Sequence, residues 1–219
     1  MLAFYERRTN GHIERVRKCL TLLAAIVDCG DELAERARSH DASKFGPEEY
    51  IPYVWLTEYH RRRRAGERFE YPEGIADQVK SAIEHHFKTN RHHPEFHANP
   101  NDMSDVDLIE MVCDWTAMAQ EFGEQGGSAR NWADKTIGKR VAFNADKSLL
   151  IYQMIDQLDK QIAAQSDRAH SDRLPEQVCR EDVPGWHLTE LAKRRARAES
   201  EPAIGKPWRE VLARLEQNQ

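Results

Sequence analysis

The spacing of apolar residues constrains this chain more than any other feature. Ile13, Val16, Leu20, Leu23 and Val27 recur every three or four positions and stop near Gly30, which is the stripe an amphipathic helix buries. A short helix from Asp31 to about Ser39 should follow. Pro47, Glu48 and Glu49 have the make-up of a first helical turn, because proline suits the first helical position and acids suit the positive end of the helix dipole. Ile75, Val79 and Ile83 mark another helix. Ser104 with Asp105 and Asp107 opens one that carries Leu108, Val112 and Trp115, and Ile151, Ile155, Leu158 and Ile162 mark the last long one. Few segments show the period of two that a half-buried strand requires. The pattern predicts an all-α bundle of about six helices.

That pattern changes after about residue 165. "QSDRAHSDRLPEQVCREDVPGW" is polar, with prolines and few apolar anchors, so a boundary near 166 separates a helical domain, 1–165, from a polar linker and helical tail, 166–219. The 219 residues, 40% hydrophobic and 32% charged, suffice for a real core. No apolar run approaches the ~18 residues that span a bilayer, and the N-terminus lacks a signal-peptide core; the expected location is the cytoplasm. Cys19, Cys29, Cys113 and Cys179 show no CxxC spacing, which fits reduced thiols. A net charge of −5 argues against a protein that coats nucleic acid. The basic block Arg61 to Arg64 reads first as a solvated helix end and second as a phosphate patch.

The segment "EHHFKTNRHHPE", residues 84–95, holds four of the ten histidines. His12 lies four before Val16 on the face its helix should bury, where an ionisable side chain needs a partner. His86 shares the apolar face of Ile83 and Val79, whereas His85 points about 100 degrees away. Asp114 sits at the edge of a buried stripe, beside Met111 and Met118. One histidine on an apolar face is usually a hydrogen-bonded core residue. Several converging with carboxylates point instead to a metal. His12, His40, Asp41, His86, His92 or His93, and Asp114 offer mixed imidazole and carboxylate ligands, which suit Mn, Fe, Co, Ni or Zn better than Ca or Mg. Adjacent His40 and Asp41 suit two ions if the carboxylate bridges them.

His12, then His40-Asp41, then Asp114 resembles the H…HD…D signature of the HD-domain superfamily, metal-dependent phosphohydrolases with an all-α fold. More narrowly, "SHDASKFGPEEY", "HHFKTNRHHPEFH" and "DLIEMVCDW" resemble a family of HD-like proteins from phages and bacteria, the DUF5662 family, over about residues 8 to 160. The resemblance implies an HD-domain-like helical bundle with His12, His40, Asp41 and Asp114 around one divalent transition metal and Asp41 bridging to a second. His86 and one of His92 and His93 would serve that second ion; their separation is shorter than in most two-metal members, so one pair has phosphate binding as its alternative role. Lys44 matches a lysine that contacts phosphate, so Asp41, Lys44 and His86 become the catalytic candidates. His85, Asn90 and Glu95 could orient ligands or substrate from behind, Asn90 and Glu95 equally well as caps of backbone groups. Tyr50, Tyr53, Trp55 and Trp115 could stack on a base, or simply fill the core.

The implied reaction is hydrolysis of a small phosphorylated substrate, a nucleotide by preference. A di-iron HD-type oxygenase would need the same ligand set. From a different class, "PGWHLTELAKRRARAESEPAIGKPWREVLARL", residues 184–215, resembles the C-terminal part of addiction-module antitoxins, which implies a toxin partner of the RelE/ParE type. The other reading of that tail is an amphipathic segment docked on its own bundle. No membrane partner is expected, and a homo-oligomer is left open.

Overall fold

The structure is a computed structural model that describes residues 1–123, 127–171, 193 and 196. Seven α-helices are present among the described residues: α1 (Leu2–Ala24), α2 (Gly30–Ser39), α3 (Tyr50–Arg64), α4 (Ile75–Thr89), α5 (Asp105–Phe122), α6 (Arg130–Thr136) and α7 (Ala145–Ser171). No strand occurs among them, only an isolated bridge between Ile137 and Val141. The fold is all-α. No described helix is long and apolar enough to cross a membrane, and Cys19, Cys29 and Cys113 are free thiols.

The chain divides into two units, Met1–Asp167 and Arg168–Gln219. Most of the second, with the tail at 184–215, lies outside the described residues apart from positions 193 and 196. The toxin-binding reading of that tail therefore meets no structural observation.

In the first unit, α5 is the central element. Val106, Leu108, Ile109, Met111, Val112, Cys113, Trp115 and Ala117 are all buried, so this helix is apolar on nearly every side. Its start is fixed by a capping box, in which the Ser104 hydroxyl accepts from the Asp107 N–H and the Asp107 carboxylate accepts from the Ser104 N–H. Its end is fixed by Gly123 in the left-handed region. α1 lies on α5 through Val16, Cys19, Leu20 and Leu23, and it also packs on α2 and α3; α4 packs on α3. Ile151, Ile155 and Leu158 of α7 complete the core.

Two details depart from the sequence reading. Pro47 and Glu48 form a turn, and the third helix starts only at Tyr50, with Glu49 at its N-cap. The short α6 was not signalled by periodicity, because seven residues offer too few turns for a stripe to repeat.

Candidate metal centre

Five segments carry the chemistry. His12 projects from the buried face of α1, one turn before Val16. α2 ends at His40, which leaves helical geometry at φ −50°, ψ 125°. Asp41 follows in the left-handed region, φ 56°, the lone non-glycine residue there among those described; aspartate tolerates this conformation better than most side chains. The chain then enters a 3₁₀ turn, Ala42–Phe45, pinned to α1 by the Tyr5 hydroxyl donating to the Lys44 carbonyl at 2.7 Å. His86 comes from the last turn of α4. His92 and His93 come from the loop before Pro94, and Asp114 from the middle of α5.

These side chains meet around Asp41. His12, His40, Asp41 and Asp114 form one group whose donor atoms all lie within 4.8 Å of one another, and His86, His92 and His93 form another. Asp41 faces both. Its Oδ2 is 3.6 Å from His12 Nε2 and 3.6 Å from His40 Nε2, while its Oδ1 is 3.4 Å from His86 Nε2 and 3.7 Å from His92 Nε2. Asp114 Oδ1 closes the first group at 2.9 Å from His12 Nε2 and 3.9 Å from His40 Nε2. Donors held about 2.1 Å from one ion are separated by roughly 3.0–3.5 Å from each other; one spacing, 3.4 Å, falls in that range, four at 3.6–3.9 Å lie just beyond it, and only the 2.9 Å contact has the length of a direct hydrogen bond. Accordingly His12 Nδ1 and Nε2, His40 Nε2, His92 Nε2, His93 Nε2 and Asp41 Oδ1 are buried with no hydrogen-bond partner, a cost unless a cation satisfies them.

Behind the ligands stands a layer of carboxylates. Glu110 Oε1 lies 2.8 Å from His40 Nδ1 and 3.4 Å from His92 Nδ1, and Glu49 Oε2 lies 2.9 Å from His86 Nδ1. Burial acts to raise the Glu110 pKa, but the hydrogen bonds from His40 and His92 bring it down to about 2. Against burial, His86 and His85 likewise hold Glu49 below its usual value. Both are therefore ionised acceptors, so the facing Nδ1 atoms are the donors. A ring that donates from Nδ1 to its glutamate has the lone pair on Nε2, and in His40 and His86 that atom faces Asp41; His86 Nδ1 also has Asn90 Nδ2 3.0 Å away. Asp41 is likewise held well below the carboxylate range against its burial, chiefly by the Lys44 ammonium. Acceptors facing an acceptor is an arrangement that could hold a metal ion.

Residues 1–163 match the family model DUF5662, a family of unknown function. The chain belongs to that family. No curated protein and no solved structure gives a significant match.

In this DUF5662 chain the structure brings together seven candidates, His12, His40, Asp41, His86, His92, His93 and Asp114. His93 contacts the rings of His86 and His92, and its burial pulls its pKa down to about 3, which favours the neutral imidazole. Lys44 Nζ reaches Asp41 Oδ2 at 2.5 Å. His85 stays outside and supports Glu49 at 2.8 Å. Asn90 caps backbone at the end of α4, donating to the His86 carbonyl at 2.9 Å, and also donates to the Ser43 hydroxyl at 2.8 Å. Glu95 is not brought to the centre: it is exposed in the short 3₁₀ turn Pro94–Phe96. Glu49 and Glu110 are the residues that sequence reasoning missed.

A cleft of about 320 Å³ adjoins the centre, with His12 and Lys44 in its lining and Tyr5 and Tyr53 as aromatic walls. Trp115 is core, 9% exposed, and Trp55 packs near Phe69, so neither borders this cleft. The basic block divides. Arg61 and Arg62 pair with Glu58 and Arg63 donates to the Tyr59 hydroxyl, while Arg64 turns to the cleft and lies 4.1 Å from the centre of the Phe122 ring.

Proposed function

We propose that this protein is an HD-type metal-dependent phosphohydrolase acting on a nucleotide or another small phosphoester. The observation that carries the reading is Asp41, whose Oδ2 faces the Nε2 atoms of His12 and His40 and whose Oδ1 faces those of His86 and His92, with the Nε2 atoms of His12, His40 and His92 buried and without a hydrogen-bond partner. His12, His40, Asp41 and Asp114 would hold one ion; Asp41, His86 and His92, with His93 adjacent, would hold a second. The donor set favours Mn, Fe, Co, Ni or Zn. Such an ion supplies Lewis acidity at a phosphoryl oxygen and a water acidified toward neutral pH.

The chain's own residues do the rest. Glu110 and Glu49 keep the imidazoles in the tautomer that presents Nε2 inward. Lys44 borders the cleft as well as touching Asp41, so its ammonium can pass from that carboxylate to a phosphoryl oxygen and stabilise charge that develops there. His86, with Nδ1 committed to Glu49, serves as a ligand rather than a proton donor. The cationic lining of the cleft favours phosphate over an uncharged compound, which sets hydrolysis ahead of the di-iron oxygenase reading; oxygen uptake during turnover would reverse that order.

The test is metal analysis of the purified full chain, followed by phosphate release from nucleotides and phosphomonoesters with Mn, Co, Ni or Fe. Asp41→Asn should lose bound metal and turnover together, by at least a hundredfold in kcat/KM. Full activity in that variant would end the proposal.

A further inference from the structure

Three helices feed the cleft, each with a row of side chains about one turn apart. α1 contributes Arg8 and His12, α3 contributes His60 and Arg64, and α5 contributes Met118 and Phe122, continuing the face that carries Asp114. The metal-binding candidates therefore occupy one end of the cleft. The other end is cationic. Arg8 and Arg15 share the single carboxylate of Glu121, at 2.5 Å and 2.9 Å. Arg64 has no ion pair among the described residues and rests its guanidinium on the Phe122 ring, which orients the group without neutralising it. His60, beside them, is held below its usual pKa by burial and by Arg64, Arg8 and Arg63, so an excess of positive charge is felt there. Along α5, the eight residues from Asp114 to Phe122 correspond to a rise of about 12 Å.

From this two-ended cleft, the geometry points to a substrate with two anionic groups: a phosphoester held at the Asp41 end and a second phosphate or carboxylate on Arg64 and Arg8, joined by a compact body that lies along Tyr53. This rests on the phosphohydrolase reading for the role of the first group. A cleft near 320 Å³ is at the small end of ligand sites, so the body is a single ring or a short chain. Arginine is the suitable residue at the far end, since its planar fork takes a carboxylate or phosphate by two parallel hydrogen bonds.

The experiment uses three compounds on one ring, phenyl phosphate, 4-carboxyphenyl phosphate and benzene-1,4-bisphosphate, titrated calorimetrically into the full chain as purified. The two compounds that carry a second anionic group should bind at least tenfold tighter than phenyl phosphate, equivalent to about 1.4 kcal/mol. A gain for the bisphosphate alone would assign the second group as phosphoryl. Arg64→Gln should remove the gain and leave phenyl phosphate within twofold, Arg64→Lys should restore part of it, and Arg68→Gln, at a side chain 90% exposed, should change nothing. Equal binding of the three, no binding by any, or a preference that survives Arg64→Gln overturns the proposal. Phosphate release is followed separately. Preference without turnover leaves the anion site standing and removes the hydrolase reading, and turnover without preference does the reverse.

Discussion

Glu110→Gln is the most informative single change, because it alters tautomers without altering volume. In the native protein Glu110 uses Oε1 on His40 at 2.8 Å and Oε2 on Arg36 at 3.0 Å, with its side chain 4% exposed. A glutamine must place its NH₂ against one of them. Facing Arg36, it sets donor against donor; facing His40, it forces Nδ1 to accept, which moves the ring proton to Nε2 and aims it at the candidate metal position. Loss of such an orienting partner weakens metal binding by about 10- to 100-fold. For a protein at 100 times its Kd in metal, bound ion adds about 2.7 kcal/mol of stability. A 10- to 100-fold weaker site then gives up about 1–2 kcal/mol, or roughly 3–9 °C of the metal-induced rise in Tm for a chain of this size. The assay is thermal unfolding with and without metal, for native and variant protein. The direct structural cost of losing the Arg36 contact appears in the metal-free Tm and so subtracts out. A metal-induced rise equal to the native one, with Kd within twofold, would refute the orienting role and the tautomer argument with it.

Two further changes test the frame that holds the centre. Ser104→Ala removes the acceptor side of the capping box on α5 and should cost about 1 kcal/mol, lowering Tm by roughly 2–4 °C with metal affinity unchanged; an unaltered Tm would show that packing alone fixes the start of that helix. Glu58 is 1% exposed and its pKa falls from 4.5 to about 2, chiefly through hydrogen bonds from Arg61 and Arg62 and against its burial. A carboxylate lowered on folding stabilises the protein above its unfolded value and loses that contribution as pH falls through the folded one. The native chain should therefore lose stability between about pH 4.5 and 2 relative to Glu58→Gln. Because Arg61 and Arg62 are 49% and 41% exposed and screened, the difference should be about 1 kcal/mol. Parallel pH profiles of unfolding for the two proteins would contradict it.

The periodic apolar residues made most helices legible, because a buried stripe repeats over several turns. Ile13, Val16, Leu20 and Leu23 on α1 and Ile151, Ile155 and Leu158 on α7 are buried or nearly so. The ligand candidates were legible for a related reason: histidine on an apolar stripe, such as His12 or His86, conflicts with its surroundings and draws attention to itself. Glu110 and Glu49 escaped because a lone glutamate on a helix normally denotes solvent. The signal for Glu110 was nonetheless present. Asp107, Glu110 and Asp114 recur at three and four positions along "DLIEMVCDW", a helix otherwise apolar all round, so those acids had no solvent face to occupy. Glu49 looked like an ordinary dipole-favouring acid of a first turn, and nothing local marks it as the partner of His86, 37 positions away. Asp41's left-handed backbone and the outward turn after His93 arise from tertiary packing that no spacing rule reports.

Charge balance bears on how such a constellation differs from an ordinary polar core. Arg36 and Arg91 offset Asp107 and Glu110, through contacts of 2.7–3.0 Å. Lys44 offsets Asp41. Glu49 and Asp114 are then left among imidazoles, one of them, His93, held neutral by burial. A buried carboxylate with no countercharge costs several kcal/mol, and a hydrogen-bonded histidine core would meet that cost by directing N–H donors at the oxygens. Here the Nδ1 donors of His40 and His86 are spent on the outer carboxylates and the inner Nε2 atoms face Asp41 from 3.4 Å and 3.6 Å. The carboxylates of Asp41 and Asp114 and the inner Nε2 atoms then form a donor set that a divalent cation could occupy. On the proposed reading, the outer carboxylates Glu49 and Glu110 orient the rings by taking up their Nδ1 atoms.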